Sequence, residues 1–182
     1  NGRSVPPPAT IIAIRSSAHH FFRAARAARL AGQESRVTSY LIAASYSAAA
    51  EDHYLVPAVR GAVFSPDSKR LLTYSDGPIA WLWGIGQTEP LRSFHHEKEI
   101  LAANFNNDAT RVLTYSLDGT VRLWSIEQAK PLAILRHDDE VSGAEFLTDE
   151  TKILSWSVDN TARIWDVNQP GRAVFTFRHQ GP

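Results

Sequence analysis

From about residue 57 onward, short runs of apolar residues alternate with polar ones at a period of two, and the runs return every 41 residues. Leu71-Leu72-Thr73-Tyr74-Ser75, Val112-Leu113-Thr114-Tyr115-Ser116 and Ile153-Leu154-Ser155-Trp156-Ser157 are such runs, rich in β-branched and aromatic residues, and they predict strands. A tight turn follows each: Asp76-Gly77-Pro78, Asp118-Gly119-Thr120 and Asp159-Asn160-Thr161, with residues that tolerate a positive φ. Third strands are predicted at 79–83, 121–124 and 162–165, and fourth strands at 91–94, 132–135 and 174–177. The first strands contain Gly61-Ala62, Ala102-Ala103 and Gly143-Ala144, small residues suited to a crowded inner position. Phe64, Phe105 and Phe146 keep the 41-residue offset, as do Trp83, Trp124 and Trp165, and Leu72, Leu113 and Leu154. Ser75, Ser116 and Ser157 keep it too, and so do the aromatics Tyr74, Tyr115 and Trp156. Five columns in register over two periods define a structural repeat of four antiparallel strands.

The first fifty residues obey a different pattern. Val5-Pro6-Pro7-Pro8 is an extended start that cannot enter a helix before Ala9. Residues 18–31 are rich in alanine and arginine and predict a helix; Gly32-Gln33 breaks it. A second helix is predicted from Glu34 to Ala50, with Val37, Leu41, Ala44 and Ala48 on one face, giving an α-helical hairpin. Charge divides the chain at the same place. Residues 1–50 hold six arginines against Glu34 alone, and residues 51–182 hold 13 basic and 18 acidic residues, so a boundary is expected near Glu51-Asp52. The expected organisation is a proline-rich start and hairpin over 1–52, then three repeat units over 53–182.

Composition narrows the class. The 182 residues carry 19 basic and 19 acidic side chains, which excludes a globally basic nucleic-acid binder. Without cysteine there are no disulfides, thiolate metal sites or cysteine nucleophiles. The longest uncharged run, Val37 to Ala50, is too short for a membrane span of about 20 residues. The chain starts at Asn1 and lacks methionine, so a processed product or a piece of a larger multidomain protein is expected.

Trp165-Asp166, with the weaker Trp124-Ser125 and Trp83-Gly84, makes the repeat resemble the WD-repeat family, as does Phe64-Ser65-Pro66-Asp67 between the first two strands. The resemblance covers residues 57–182 and implies a mainly β fold, a partial WD-repeat β-propeller of three four-stranded blades at about 57–94, 98–135 and 139–177. It also implies a hydrogen-bonded tetrad in each blade: His96, Ser116, Asp118 and Trp124 in the second, His137, Ser157, Asp159 and Trp165 in the third. The first blade departs from the pattern, with Gly77 in place of the aspartate and Leu55 in place of the histidine. His179 matches the start of a fourth unit. Because propellers close with about four to eight blades, further blades or associating copies are expected. The hairpin is loosely similar to the linker that precedes propellers in bacterial signal-transducing ATPases with numerous domains.

The expected function is a non-catalytic, cytoplasmic protein-interaction scaffold or sensor segment. Propeller loops expected to meet a protein or peptide partner carry His95, Glu97, Lys98, Leu117, Asp138, Asp139 and Val158, with Leu117 and Val158 as apolar seats. The alternatives are a propeller that regulates an upstream ATPase and a nucleic-acid contact through Arg23, Arg26 and Arg29. No cofactor or metal is expected, since the histidine pairs lack ligand spacing and no P-loop, Rossmann glycine pattern or H-E-x-x-H occurs. The recurring Ser, His and Asp lack a G-x-S-x-G elbow and are expected to fix turns.

Overall fold

A computed structural model describes residues 59–85, 87, 89–169 and 171–179. The expected helical hairpin, and with it the arginine-rich helix, lies outside the described residues. The described chain forms twelve strands in three sheets. Sheet 1 contains β1 (Val59–Phe64), β2 (Arg70–Ser75), β3 (Ile79–Gly84) and β4 (Pro90–His95). Sheet 2 contains β5 (Ile100–Phe105), β6 (Arg111–Ser116), β7 (Thr120–Ser125) and β8 (Pro131–Arg136). Sheet 3 contains β9 (Val141–Phe146), β10 (Lys152–Ser157), β11 (Thr161–Asp166) and β12 (Ala173–Arg178). Every pair is antiparallel between sequence neighbours, so each sheet is a four-strand meander.

The turns explain the strand boundaries. In the β1–β2, β5–β6 and β9–β10 connections, Asp67, Asp108 and Asp149 each accept the amide two residues on, from Lys69, Thr110 and Thr151. The residue between is left-handed in all three: Ser68 (φ 57°), Ala109 (φ 60°) and Glu150 (φ 54°). An aspartate carboxylate spanning that residue holds a conformation non-glycine residues rarely adopt. At the opposite end of the sheets, Gly119 (φ 78°) and Asn160 (φ 62°) turn β6 into β7 and β10 into β11.

The core lies between sheets, not within them. Leu72, Ala80, Leu82 and Phe94 of sheet 1 pack on Ile100, Ala103, Val112 and Trp124 of sheet 2. Leu113, Val121, Leu123 and Leu135 on the other face of sheet 2 pack on Val141, Ala144, Ile153 and Trp165 of sheet 3. This is why consecutive residues such as Val112 and Leu113 are both buried: the middle sheet is covered on two sides. Each fully buried Leu, Ile or Phe stabilises the stack by roughly 1.5–3 kcal/mol.

The inner strands carry a bulge before the small residue at Gly61, Ala102 and Gly143, which pairs with Tyr74, Tyr115 and Trp156. A Cβ on Gly143 would lie inside van der Waals contact of the Trp156 indole, and one on Gly61 would meet the Tyr74 ring. Gly143→Ala is therefore expected to push Trp156 off the strand and destabilise the fold by about 1–3 kcal/mol. Chemical denaturation of Gly143→Ala, Trp156→Ala and the double variant checks this: the two costs should be clearly non-additive, and simple additivity would show that ring and glycine do not meet.

Candidate functional site

All three β2–β3-type turns and both connections leading from one sheet to the next lie at one end of the sheets, because antiparallel meanders return there on every second strand. His96 follows β4, and its amide donates to the Pro78 carbonyl (2.8 Å), which fixes the residue over the turn of sheet 1. His137 does the same after β8, donating to Gly119 O (2.9 Å). From there each imidazole reaches into the following sheet. His96 Nδ1 lies 2.9 Å from Asp118 Oδ2, and Nε2 lies 2.7 Å from Thr114 Oγ1. His137 Nδ1 lies 3.0 Å from Asp159 Oδ2, and Nε2 lies 2.7 Å from Ser155 Oγ.

The direction of donation follows from the partners. An indole N–H can only donate, so Trp124 Nε1 donates to Thr114 Oγ1 (2.9 Å) and Trp165 Nε1 donates to Ser155 Oγ (2.8 Å). Each hydroxyl then donates to a histidine Nε2, leaving Nδ1–H to donate to the carboxylate. The relay thus runs tryptophan, hydroxyl, histidine, aspartate, and it crosses from one sheet to the next. Both imidazole side chains are fully buried, and no buried side-chain N or O among the described residues lacks a partner.

The sequence expectation placed Ser116 and Ser157 as the hydroxyls, and here the structure corrects it. Ser116 Oγ donates to the Lys98 carbonyl (3.1 Å) and accepts the Asp118 amide (3.0 Å). Ser157 Oγ donates to Glu140 O (2.8 Å) and accepts the Asp159 amide (3.1 Å). The hairpin register gives the reason. Trp124 stands opposite Val112, so its indole reaches the diagonal neighbour Thr114, whereas Ser116 is two residues further away. Thr73, Thr114 and Ser155 keep the 41-residue offset as well as the serines do. The first sheet shares this part of the relay, with Trp83 Nε1 donating to Thr73 Oγ1 (2.8 Å).

Two arginines that the sequence reading missed complete the network. Arg122 donates to the His95 carbonyl (2.8 Å) and to Asp118 Oδ2 (3.2 Å). Arg163 donates to the Arg136 carbonyl (2.8 Å) and to Asp159 Oδ2 (2.9 Å). Their column ends in Trp81 in sheet 1, the sheet whose turn has Gly77 where the others have aspartate. The guanidinium and the carboxylate are thus present together or absent together. Burial alone would raise the Asp118 and Asp159 carboxyls, but hydrogen bonds from His96 and Thr120, and from Thr161, Asp138 N and His137, hold both well below the usual carboxylate range. Burial also pushes the His96 and His137 imidazoles down, against the pull of Asp118 and Asp159.

Of the residues expected to meet a partner, His95, Glu97, Lys98, Asp138, Asp139 and Val158 are exposed, and Leu117 is half-buried. Glu97 and Asp138 occupy equivalent places. Their amides donate to Asp118 and Asp159 (both 3.0 Å), and their carboxylates reach Arg122 (3.6 Å) and Arg163 (2.7 Å). Val158, at 55% exposure, is the apolar seat that remains open. Among the described residues no cluster of side chains could hold a metal ion, and no helix is long and apolar enough to cross a membrane.

The family model described as WD domain, G-beta repeat (WD40) matches residues 88–125 and 129–166, and the three four-stranded sheets fit a partial WD propeller. The solved structure of U3-55K is similar in fold, with a TM-score of 0.61 at 17% identity over 70% of this chain. The chain spans 41% of the length of that structure. No curated protein matches in sequence. Since 1303 solved chains share the fold, likeness to one of them says nothing about a particular partner.

Two measurements check the relay. Ser155→Ala should cost about 1–3 kcal/mol, because His137 Nε2 and the Trp165 N–H both lose their buried partner, while Ser157→Ala should cost less. Asp159→Ala should fall in the same 1–3 kcal/mol range. The second check is pH. An imidazole whose folded pKa is lowered binds fewer protons folded than unfolded, so its contribution is present above about pH 6.5 and is lost as pH falls below it. The lowered carboxyls add a second loss as pH drops below their unfolded value near 3.8. Urea denaturation should give lower stability at about pH 5 than at about pH 7.5, with a smaller drop in His137→Gln.

Proposed function

We propose that this chain is a non-catalytic protein-interaction segment of a larger multidomain protein, working in the cytoplasm, and that its partner meets the loop end of the sheets. The observation that carries this reading is the contrast at that end between a rigid base and an exposed rim. Beneath it, Asp118 and Asp159 hold the backbone of the connecting loops through the Glu97 and Asp138 amides. Above it, Lys98, Asp139 and Val158 stand in solvent. Side chains presented on loops whose backbone is already fixed lose little entropy on binding, which favours recognition by a rigid surface. WD40 repeats as a class support interaction with protein partners. The recurring Ser, His and Asp groups are spent on one another and on tryptophan, which leaves no free nucleophile at the relay.

The test compares the two ends of the sheets. The full chain is used to capture proteins from an extract of its source cells, alongside Lys98→Ala/Asp139→Ala/Val158→Ala and, as the opposite-end control, Lys69→Ala/Thr148→Ala. A partner retained by the wild type and the control, and reduced at least about tenfold by the loop-end variant, is the expected outcome. Equal retention by both variants would contradict the proposal.

A further inference from the structure

Two aspartate–glycine steps sit at the same end of the sheets, and their surroundings differ. Asp118, before Gly119, has a side chain only 4% exposed. Its Oδ1 accepts from the Thr120 amide (2.9 Å) and hydroxyl (2.6 Å). Its Oδ2 accepts from His96 Nδ1 (2.9 Å), the Glu97 amide (3.0 Å) and Arg122 (3.2 Å). The Gly119 amide is occupied as well, donating to the Ser116 carbonyl (3.3 Å). Asp76, before Gly77, has a side chain 40% exposed, and it pairs with the still more exposed Arg60, which also lies 3.6 Å from Glu99. An exposed, shared ion pair holds a carboxylate only weakly. The Gly77 amide has no acceptor among the described residues.

A free carboxyl and a free following amide are the groups that aspartate isomerisation consumes. The amide nitrogen, giving up its proton, attacks the side-chain carboxyl carbon; one carboxyl oxygen leaves as water, and a cyclic imide forms. Glycine in second place, having no Cβ, lets the backbone rotate most freely into the attacking conformation. Water then opens the imide at either carbonyl. One opening restores aspartate. The other leaves isoaspartate, with the chain running through the side-chain carbons and the old main-chain carbonyl free as a carboxylate. One water is lost and one regained, nothing is oxidised or reduced, and no co-reactant is needed.

The structure assigns Asp76-Gly77 as a site of spontaneous isomerisation, with Asp118-Gly119 as its protected counterpart. The Asp118 carboxyl cannot turn toward the Gly119 nitrogen without giving up bonds to His96, Glu97, Thr120 and Arg122. At Asp76 the Arg60 pair is the one restraint on the side chain among the described residues. The site matters because the same turn anchors the way into sheet 2. Gly77 O accepts the Ile100 amide (3.0 Å), and Pro78 O accepts the His96 amide (2.8 Å). Isoaspartate lengthens the main chain by a carbon immediately before these acceptors, and so loosens the connection that places the His96 ring. The exposed turn is thus a slow chemical timer on the junction of sheets 1 and 2, whether or not the loop end binds a partner.

The test ages the full chain near neutral pH, folded and in urea. Tryptic peptides 71–92 and 112–122, which carry the two steps, are then read by fragmentation mass spectrometry that separates isoaspartate from aspartate. In the folded chain, isoaspartate at Asp76 is expected to exceed that at Asp118 by roughly tenfold or more, because Asp118 must wait for local opening. In urea the two steps should convert at similar rates. Asp76→Glu, whose longer side chain does not close the same ring, should stay unmodified at residue 76. The aged wild type should also exchange its Ile100 and His96 amide hydrogens faster than aged Asp76→Glu. No isoaspartate at Asp76, or equal amounts at both steps in the folded chain, overturns the assignment. Slow conversion of Asp118 in urea as well would trace the difference to local sequence, and overturns the protection by its bonds. Isoaspartate at Asp76 with unchanged exchange at Ile100 and His96 overturns the timer.

Discussion

A buried imidazole on the wrong sheet is the constraint on which the rest depends. His96 belongs by sequence to sheet 1 and His137 to sheet 2, yet each side chain is satisfied only by a carboxylate and a hydroxyl of the following sheet. Apolar stacking alone would let two sheets slide, since dispersion and hydrophobic contact are non-directional. A fully buried ring with two fixed hydrogen bonds tolerates no such shift, because a misplaced ring nitrogen loses a partner at a cost of about 1–3 kcal/mol. The relay thus converts a greasy contact into one with a single register.

The same logic orders the loop end. Asp118 is held by the Glu97 amide, Thr120 and Arg122 as well as by His96, and Asp159 is held by the equivalent groups. One carboxylate therefore fixes a turn, the connection that enters the sheet and an arginine that reaches back to the previous sheet. The opposite end has its own tie: Glu150, left-handed in the β9–β10 turn, accepts from Asn106 Nδ2 (3.0 Å) and the Asn107 amide of sheet 2. Sheets 2 and 3 are thus joined at both ends, with the apolar layer between.

Much of this was legible in the sequence, and the gaps have physical causes. The period-two runs and the 41-residue offset predicted three four-stranded antiparallel sheets, and the meanders are as expected. What the columns could not separate was which hydroxyl the histidine meets. Thr114 and Ser116 lie on one strand face, both columns are hydroxylic in every repeat, and only the hairpin register places Thr114 diagonal to Trp124. The arginines escaped notice because their column begins with Trp81, which breaks the pattern in the repeat where the turn aspartate is also missing. The extra residue before β12, which moves His179 one place off the 41-residue offset, shows in the register, where Ala162 stands opposite Phe177 as Val121 stands opposite Leu135.

His96 and His137 each hold Nδ1 on a carboxylate of the following sheet and so bridge consecutive sheets in one tautomer. Nitrogen-resolved NMR of the histidine rings tests it most directly. The account predicts that His96 and His137 each show a protonated Nδ1 and an unprotonated Nε2, with this single tautomer persisting at about pH 6, where an ordinary imidazole is mostly charged. A mixture of tautomers, or protonation of either ring at its ordinary pKa, would contradict it.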